Sequence, residues 1–403
     1  MEYRKDFPML NQEGKNFVYL DNSATTLKPS CVIDEVTRYL STCSVNVHRG
    51  DYDLSYQVSQ EYEAVRNTVA RFINAASPKE IVYTHGTTEA LNIIAYGMGG
   101  FLKEGDVILT DIAEHASSVL PWFRVAKEKG ASIEYIPLDE QGRITVENFQ
   151  KAMHLGVKYV CIAHVGNVLG YTAPIQEITT IAHNYDALVI VDGAQAIPHR
   201  KVDVQALDCD FYTFSAHKMC GPTGVGVLYG KAKYLSQMEP LMLGGGSNAR
   251  FDACSNVLLK EAPYRFESGT PAIEGVLGMG KAIEYLEKVG MDYIQAKEEK
   301  LHNLAIQELS KLDNVILYNP KSDNGIVTFN IKDVFAQDSA SFLSTKGVYC
   351  RSGNHCAKIL VDHLGTPATV RASFYFYNTE EDVMRLVEVC KEANQETCLN
   401  IFF

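Results

Sequence analysis

Residues 187–230, ALVIVDGAQAIPHRKVDVQALDCDFYTFSAHKMCGPTGVGVLYG, contain three short runs rich in β-branched and aromatic residues. Four similar runs precede them, with helical patterns in between: EIVYT (80–84), DVILT (106–110), SIEYIPL (132–138) and YVCIAHV (159–165). This alternation is typical of a mainly parallel sheet with helices on both faces. Ligands of such sheets bind beyond the carboxyl ends of the strands. We therefore expect functional residues directly after these runs.

Chain length and glycine content predict two domains. A chain of 403 residues, 46% of them apolar, is too long for one typical domain. The Gly-rich stretch at 241–255 interrupts the alternation, and a helical segment begins near residue 272. We predict a large domain at 18–270 and a small α+β domain at 271–403, with 1–17 packed on it. The small domain should contain strands at NGIVTFNI (324–331) and GVYCRSG (347–353) and helices at ASFLSTK (340–346) and TEEDVMRLVEVCKEAN (379–394).

Charge and hydropathy exclude several classes of protein. The net charge is −12 and the Lys and Arg residues are scattered, so nucleic acid is not an expected partner. No segment approaches the ~20 apolar residues of a membrane span, and the N-terminus does not resemble a signal peptide. The ten cysteines contain no CxxC pair, so we expect reduced thiols and no metal site. These features predict a cytoplasmic protein without a membrane partner.

Lys218 and Asp192 are the first candidate functional residues. Lys218 follows the run DFYTFSAH, where a partly buried amine would lose pKa and become nucleophilic. By itself, a surface lysine is the more common explanation. Asp192 ends a fully apolar run, where a carboxylate needs a cationic partner or serves as a helix cap. A protonated pyridine nitrogen is one such partner.

Two further segments place polar side chains after predicted strands. In YTHGTTEALNII, Gly86, Thr87 and Thr88 precede an amphipathic helix, and such a helix start can hold a phosphate group. His115 in LTDIAEHASSV either lies flat on an aromatic cofactor or is an ordinary turn histidine. Each of these signals is weak alone, because Ser and Thr are common helix caps.

Cys356 is the candidate nucleophile among the cysteines. It lies in CRSGNHCAKIL, a Gly-containing segment suited to a mobile loop, whereas most cysteines are small buried apolar residues. The neighbouring His355 and Arg351 would favour the thiolate, which is the reactive form. Cys350, six residues earlier at the end of a predicted strand, is expected to be structural.

Seven motifs in order resemble one family. GTTEALN, EHAS, NVLG, DGAQ, SAHK, RFESGTP and RSGNHCA together resemble the cysteine desulfurases of the class V aminotransferase-like enzymes, which use pyridoxal 5′-phosphate (PLP). The resemblance covers nearly the whole chain and is closest to the SUF-type branch, also called selenocysteine lyase-like. It implies the PLP-dependent transferase fold (aspartate aminotransferase-like, fold type I) and a homodimer with shared active sites.

The resemblance also implies roles for individual residues. Lys218 would bind PLP covalently, Asp192 would face its ring nitrogen, and His115 would stack on the ring and shuttle protons. The remaining cofactor-binding residues would be Gln195 at the phenolic oxygen and, at the phosphate, Thr87, Thr88, Ser215, His217 and Thr270 from the second subunit. The substrate carboxylate would bind Arg371 and Asn167, with Arg351 contacting substrate or ordering the cysteine loop. Without the resemblance, a structural arginine would be the preferred interpretation of Arg371.

Three positions depart from the pattern of the family. Asn354 stands where the branch commonly has a second His, and Gly166 stands where Ser is frequent. Gln337 occupies a position where relatives served by a zinc-containing acceptor tend to carry His. The last departure favours a SufE-like sulfur acceptor over a zinc-type one.

The predicted activity is the conversion of L-cysteine to L-alanine, with a persulfide left on Cys356 for iron–sulfur cluster assembly. The same site would also release selenium from selenocysteine. One alternative is another class V PLP reaction, such as transamination or epimerisation, which needs no nucleophilic Cys356. A second alternative is a weakly active scaffold of a cluster-assembly complex.

Overall fold

Short strands and helices alternate along most of the chain. The computed structural model describes residues 3–14 and 16–400. The strands are β1 (Val18–Tyr19), β2 (Ile81–Thr84), β3 (Val107–Thr110), β4 (Ser132–Tyr135), β5 (Val157–Ala163), β6 (Leu188–Asp192), β7 (Phe211–Ser215), β8 (Gly226–Gly230), β9 (Asn248–Phe251), β10 (Val257–Leu259), β11 (Val315–Leu317), β12 (Ile326–Ile331), β13 (Val348–Tyr349), β14 (Arg351–Gly353) and β15 (Thr369–Ser373).

The helices cover both faces of the larger sheet and one side of the smaller one. They are α1 (Ser30–Thr42), α2 (Asp53–Phe72), α3 (Thr87–Gly99), α4 (Ala116–Lys129), α5 (Val146–Ala152), α6 (Ile175–His183), α7 (Val204–Leu207), α8 (Ala232–Leu235), α9 (Ile273–Val289), α10 (Met291–Leu309), α11 (Ala336–Thr345), α12 (Lys358–His363), α13 (Glu380–Glu392) and α14 (Gln395–Leu399). None of these helices has both the length and the apolar character needed to cross a bilayer.

The larger sheet has seven strands in the order β2-β8-β7-β6-β5-β3-β4. Strands β3 to β7 pair in parallel, and β8 alone runs antiparallel to its two neighbours. The seven predicted strands are therefore all present, in a mainly parallel sheet. Central strands such as β6 and β7 are buried along nearly their whole length, which explains their unbroken apolar sequences.

The parallel order brings the ends of β2, β5, β6 and β7 to one edge of the sheet. The segments that leave this edge carry Thr87, Asn167, Asp192 and Lys218. Strand β3 contributes His115 at the same edge, just before α4 begins. The fold thus gathers residues up to 131 positions apart, as expected for ligand sites of this architecture.

A four-stranded antiparallel sheet, in the order β11-β12-β15-β14, forms the second unit. Its core includes Leu301, Phe329, Phe342, Val370 and Leu386. The predicted strand at 324–331 corresponds to β12, and the predicted segment at 347–353 forms two short strands, β13 and β14. Helices α11 and α13 occupy the two predicted helical segments.

The predicted domain division at residue 270 stays a prediction, and the packing of α9 bears on it. Helix α9 packs against α1 and α2, and its Leu277 and Ile283 belong to the core beneath the larger sheet. Leu301 in α10 is instead part of the smaller core. This packing favours a division within α10. Residues 1, 2, 15 and 401–403, which were assigned to the small domain, lie outside the described residues.

The N-terminal segment contacts both units, and its predicted packing on the small domain stays a prediction. Strand β1 pairs in parallel with β13. Arg4 forms an ion pair with Asp382 at 2.9 Å. Phe7 packs against Tyr377, with ring centroids 4.5 Å apart, and also belongs to the core of the larger sheet. The segment therefore joins the two units.

Candidate active site

A cavity of about 310 Å³ opens at the carboxyl edge of the larger sheet. It brings together twelve of the thirteen predicted site residues: Thr87, Thr88, His115, Asn167, Asp192, Gln195, Ser215, His217, Lys218, Arg351, Cys356 and Arg371. Thr270 is exposed and lines a different cavity of about 530 Å³. That larger cavity contains none of the other twelve, so we assign the active site to the smaller one.

Lys218 lies at the end of a short 3₁₀ helix, Ala216–Lys218, directly after β7. Burial lowers the pKa of its ammonium group to about 8; Asp192 opposes this shift and Arg371 adds to it. A large fraction of the side chain is therefore a neutral amine near pH 8, which is the nucleophilic form. The predicted reactive lysine has the environment that its chemistry requires.

The backbone that precedes Lys218 is held by residues that the sequence analysis did not identify. The carbonyl of His217 accepts hydrogen bonds from the Thr26 amide at 3.0 Å, the Thr25 hydroxyl at 3.0 Å and the Lys28 ammonium at 2.9 Å. Burial lowers the pKa of Lys28 to about 8. These contacts join residues about 190 positions apart, so no local sequence pattern could reveal them.

Replacing Lys28 with methionine should loosen this attachment. The variant keeps the aliphatic stem but removes the donor to the His217 carbonyl, at an expected cost of about 1–3 kcal/mol in the free energy of unfolding. We expect a lower midpoint of thermal unfolding and faster loss of PLP on dialysis. Lys281→Met, which removes only an exposed pair with Glu284, is the matched control. Equal behaviour of the two variants would contradict the positioning role of Lys28.

Asp192 is buried at the end of β6, and both of its carboxylate oxygens accept hydrogen bonds. One accepts from the Ala194 amide at 2.9 Å and the other from the Ser118 hydroxyl at 3.0 Å. The contact with the Ala194 amide resembles that of a helix cap, which is the simpler role that the sequence suggests for Asp192. The carboxylate also lines the cavity, so it is placed to face a cation there. Ser118, which orients it, was not identified from the sequence.

The start of α3 forms a polar cradle at one end of the cavity. The Ser215 hydroxyl lies 2.8 Å from the Thr87 amide nitrogen and 2.9 Å from its hydroxyl oxygen, and the Thr88 hydroxyl lies 2.7 Å from that of Ser117. At Gly86, φ is 150° and an added Cβ would lie 3.2 Å from the Ser215 oxygen. Hydroxyls and a helix N-terminus at this point suit a phosphate group.

Three histidines line the cavity, and two of them, His115 and His217, are neutral near pH 7 because of their surroundings. Burial and Lys218 lower the pKa of His115, and they lower the pKa of His217 to about 4. The Nδ1 atom of His115 accepts the Ser117 amide at 3.1 Å and so caps α4. The neutral His115 ring therefore carries its proton on Nε2. His115 thus combines the cap role with a position on the cavity wall.

Among the described residues that line the cavity, two have buried amide oxygens without hydrogen-bond partners. The Gln195 Nε2 group donates to the Ser23 carbonyl at 2.7 Å, while its Oε1 has no partner. The Asn167 Nδ2 group donates to the His355 carbonyl at 2.7 Å, while its Oδ1 has no partner. Buried polar atoms are rarely left unpaired, so both oxygens favour a ligand in the cavity. With the polar cradle and Asp192, they make a donor set that fits PLP.

Arg371 and Arg351 lie at the same side of the cavity but are paired differently. Arg371 is buried on β15, donates to the Asn167 carbonyl at 2.7 Å, and leaves Nε without a partner among the described residues. Burial lowers its pKa to about 10, so it remains charged. Arg351 is half exposed and binds the Asp21 carboxylate at 3.1 and 2.9 Å. Arg371 is therefore the group that is ready to bind a carboxylate.

Cys356 is exposed on a short loop between β14 and α12 and lines the cavity. His355 and Cys356 both adopt left-handed backbone conformations, with φ of 50° and 58°. The Cys356 carbonyl accepts the Ala116 amide at 2.8 Å, which ties the loop to the start of α4. Strained non-Gly residues of this kind often occur at functional sites. All ten cysteines lie within the described residues, and among them only Cys356 lines this cavity.

The predicted help of His355 in forming the thiolate is not supported. Its Nε2 lies 3.0 Å from the Thr369 hydroxyl, and burial lowers its pKa to about 3, with Arg371 contributing. His355 is therefore uncharged and acts on the conformation of the loop. Cys350 is deeply surrounded by protein, and burial raises the pKa of its thiol well above the usual value. This environment agrees with the structural role expected for Cys350.

Residues 18–386 match the model of the family described as aminotransferase class-V. The chain belongs to this family. A curated relative named "Probable cysteine desulfurase" from Halalkalibacterium halodurans is 45% identical over 98% of both chains. The solved apo structure of a cysteine desulfurase from Thermococcus onnurineus is 38% identical over 97% of both chains, with a TM-score of 0.93. The cysteine desulfurase CsdA from Escherichia coli is 34% identical, with a TM-score of 0.91 over 99% of this chain and 98% of the other.

These similarities confirm several predictions. The fold is the PLP-dependent transferase fold of the aspartate aminotransferase type, the chain is an enzyme of the class V family, and its cofactor is PLP. The match extends over nearly the whole chain, as the order of the seven motifs indicated. The roles of individual residues remain predictions that the cavity geometry supports.

Proposed function

We propose that this enzyme is a cysteine desulfurase that converts L-cysteine to L-alanine and keeps the sulfur as a persulfide on Cys356. One observation carries the proposal: an exposed cysteine shares a cavity with a half-buried lysine whose pKa is near 8. A transaminase or epimerase needs the lysine but has no use for the cysteine. The names of the relatives support the same activity.

PLP, when bound, withdraws electrons from the α-carbon of an amino acid. Arg371 and Asn167 hold the substrate carboxylate, and Asp192 supplies the negative charge that stabilises a protonated pyridine ring. The neutral Lys218 amine removes the proton from the α-carbon. Arg371, Asn167, Asp192 and Lys218 all line the same cavity, so a bound substrate meets all of these groups at once.

The Cys356 thiolate then attacks the sulfur of the substrate. A sulfur–sulfur bond forms as the carbon–sulfur bond breaks, and the electron pair of the broken bond stays with the carbon skeleton. The β-carbon takes up a proton in place of the sulfur and the α-carbon regains the one it lost, which gives L-alanine. No external oxidant or reductant is consumed, because the two sulfur atoms are oxidised together by two electrons as the S–S bond forms and the β-carbon is reduced by two electrons as its C–S bond becomes a C–H bond.

A single-turnover experiment tests the proposal. Purified PLP-loaded protein is mixed with L-cysteine without reductant, and both the L-alanine formed and the persulfide trapped with an alkylating reagent are measured. We expect equal amounts of both, with the persulfide mapped to Cys356 by mass spectrometry. Pyruvate or D-cysteine as the product would favour another class V reaction, and PLP binding without any product would favour a scaffold.

The reaction of the cofactor-free protein with PLP should depend on pH. Only the neutral Lys218 amine is nucleophilic, and its pKa lies near 8, so the rate should rise as pH increases from 6 to 8 and level off above about 9. Asp192 raises the pKa of Lys218, so Asp192→Asn should move the midpoint to lower pH. Stopped-flow absorbance gives both curves. A midpoint near 10.5, the value of an unperturbed lysine, would contradict this description of the site.

Membership of the SUF-type branch, with a SufE-like acceptor, is part of the proposal. The loop between Gly353 at the end of β14 and Lys358 at the start of α12 is only four residues long, so Cys356 cannot carry sulfur far from the cavity. An acceptor must therefore approach the cavity mouth. Gln337 is exposed at the start of α11, at the position where relatives served by a zinc-containing acceptor tend to carry His. We expect faster turnover with a SufE-like protein than with a zinc-containing acceptor. The cytoplasmic location and the activity on selenocysteine remain predictions.

A homodimer is also proposed. Thr270 lies outside the cavity of its own chain, as expected for a residue that serves the second subunit. Leu243, Phe251 and Leu258 in the neighbouring Gly-rich and hairpin segment are more than 60% exposed, which favours cover by another chain. Sedimentation analysis should give twice the mass of the chain, and a monomer would contradict the proposal.

A further inference from the structure

The carboxylate of Asp21 lies near two guanidinium groups that line the cavity, those of Arg351 and Arg371. Arg351 binds it through Nε at 3.1 Å and Nη2 at 2.9 Å, whereas the nearest nitrogen of Arg371 is 3.8 Å away. The backbone of Asp21 is fixed, because the preceding Leu20 accepts a hydrogen bond from the Ser373 amide at 2.7 Å. The Asp21 backbone therefore cannot move away without breaking the contact between Leu20 and Ser373 of β15.

The guanidinium groups of Arg351 and Arg371 differ in how completely they are paired with hydrogen-bond and charge partners. The side chain of Arg351 is 49% exposed and makes a two-point contact with Asp21, so its charge is compensated. The side chain of Arg371 is 4% exposed, and its Nε has no partner among the described residues. The edge of Arg351 that contacts Asp21 cannot bind a second carboxylate, and the Asp21 charge weakens the attraction of the rest of that guanidinium for one. An incoming carboxylate therefore meets one guanidinium whose charge is uncompensated, although two line the cavity.

We propose that Asp21 is a positioning residue that holds Arg351 back from the substrate carboxylate and thereby limits the affinity of the cavity for amino acids. Of the two arginines, Arg371 alone then binds the carboxylate of substrate and product. A second guanidinium would strengthen the binding of L-cysteine and L-alanine alike, because both carry the same carboxylate. Such uniform binding does not speed the chemical step and slows the release of L-alanine. The inference rests on the proposed function for the identity of these ligands.

The test measures binding of L-alanine to the PLP-loaded protein by calorimetric titration. The proteins compared are the wild type, Asp21→Asn, Arg351→Ala and the double variant, with Glu287→Gln as a control that removes an exposed carboxylate paired with Arg71. We expect Asp21→Asn to bind L-alanine about fivefold more tightly, close to the upper limit for one exposed ion pair. The double variant should bind no more tightly than Arg351→Ala, because the gain depends on the released Arg351. Glu287→Gln should match the wild type.

Two results would overturn the inference. One is an Asp21→Asn protein that binds L-alanine as weakly as the wild type or more weakly, with Asp21→Ser giving the same result and circular dichroism showing both folded. The other is a gain in affinity that persists in the double variant, since Asp21 would then act without Arg351. Turnover of the wild type is scored separately. If the wild type makes no L-alanine but Asp21→Asn still binds it more tightly through Arg351, the proposed function fails and the role of Asp21 stands.

Discussion

Replacing Cys356 with alanine should lower L-alanine formation from L-cysteine by at least about 10³-fold, because the nucleophile that accepts the sulfur is lost. The Cys356 side chain is exposed, so the fold and PLP binding should be unaffected. The measurement is L-alanine formed per enzyme, together with the visible absorbance of bound PLP. The expected outcome is a protein that binds PLP and L-cysteine but does not cleave the carbon–sulfur bond.

Two exposed cysteines serve as controls for this prediction. Cys31 and Cys254 are as accessible as Cys356 but lie outside the cavity. Cys31→Ala and Cys254→Ala should therefore keep wild-type turnover and persulfide. A fully active Cys356→Ala protein would show that the mechanism does not transfer sulfur to Cys356. Loss of activity in all three variants would instead indicate a general requirement for thiols.

Replacing Lys218 with alanine should have an equally large effect by a different route. The variant loses both the amine that binds PLP and the base that removes the α-proton, so turnover should fall by at least about 10³-fold. The absorbance of covalently bound PLP should disappear, and dialysis should remove the cofactor. The Lys218→Ala cavity would have room for a small amine, so added ethylamine should restore part of the activity.

Lys201→Ala is the matched control for the lysine. Lys201 is exposed, lies in the same stretch of sequence as Lys218 and does not line the cavity. Its replacement should leave absorbance and turnover unchanged. A Lys218→Ala protein that retains the bound-PLP absorbance without added amine would show that another group holds the cofactor.

The sheet and most of the site were predictable because their signals are local. Apolar strands buried on both faces, such as β6, produce runs that the sequence displays directly. The parallel order then places Asp192 and Lys218 at one edge without further information. The predicted division at residue 270 assigns helix α9 to the small domain, because an apolar helix looks the same in sequence whichever core it joins. Its packing against α1 and α2 is the observation that favours the larger unit.

The supporting contacts were not predictable from the sequence, because they join distant residues. Asp21 binds Arg351 across 330 positions, and Ser118 binds Asp192 across 74. Each of these side chains is polar and unremarkable in its own segment. Their roles depend on which loops meet at the sheet edge, and therefore on tertiary packing. The neutral state of His355 likewise follows from burial that its position beside a cysteine does not indicate.

The pairing of β1 with β13 has a consequence for synthesis of the protein on the ribosome. Residues 18–28 include the groups that hold Arg351 and the carbonyl before Lys218, and they are anchored to residues 348–378. Residues 18–28 must therefore wait for residues 348–378 to emerge before the cavity is complete. A nascent chain that has not reached residue 378 would lack an assembled site, so release of reactive sulfur would begin only after that segment has left the ribosome.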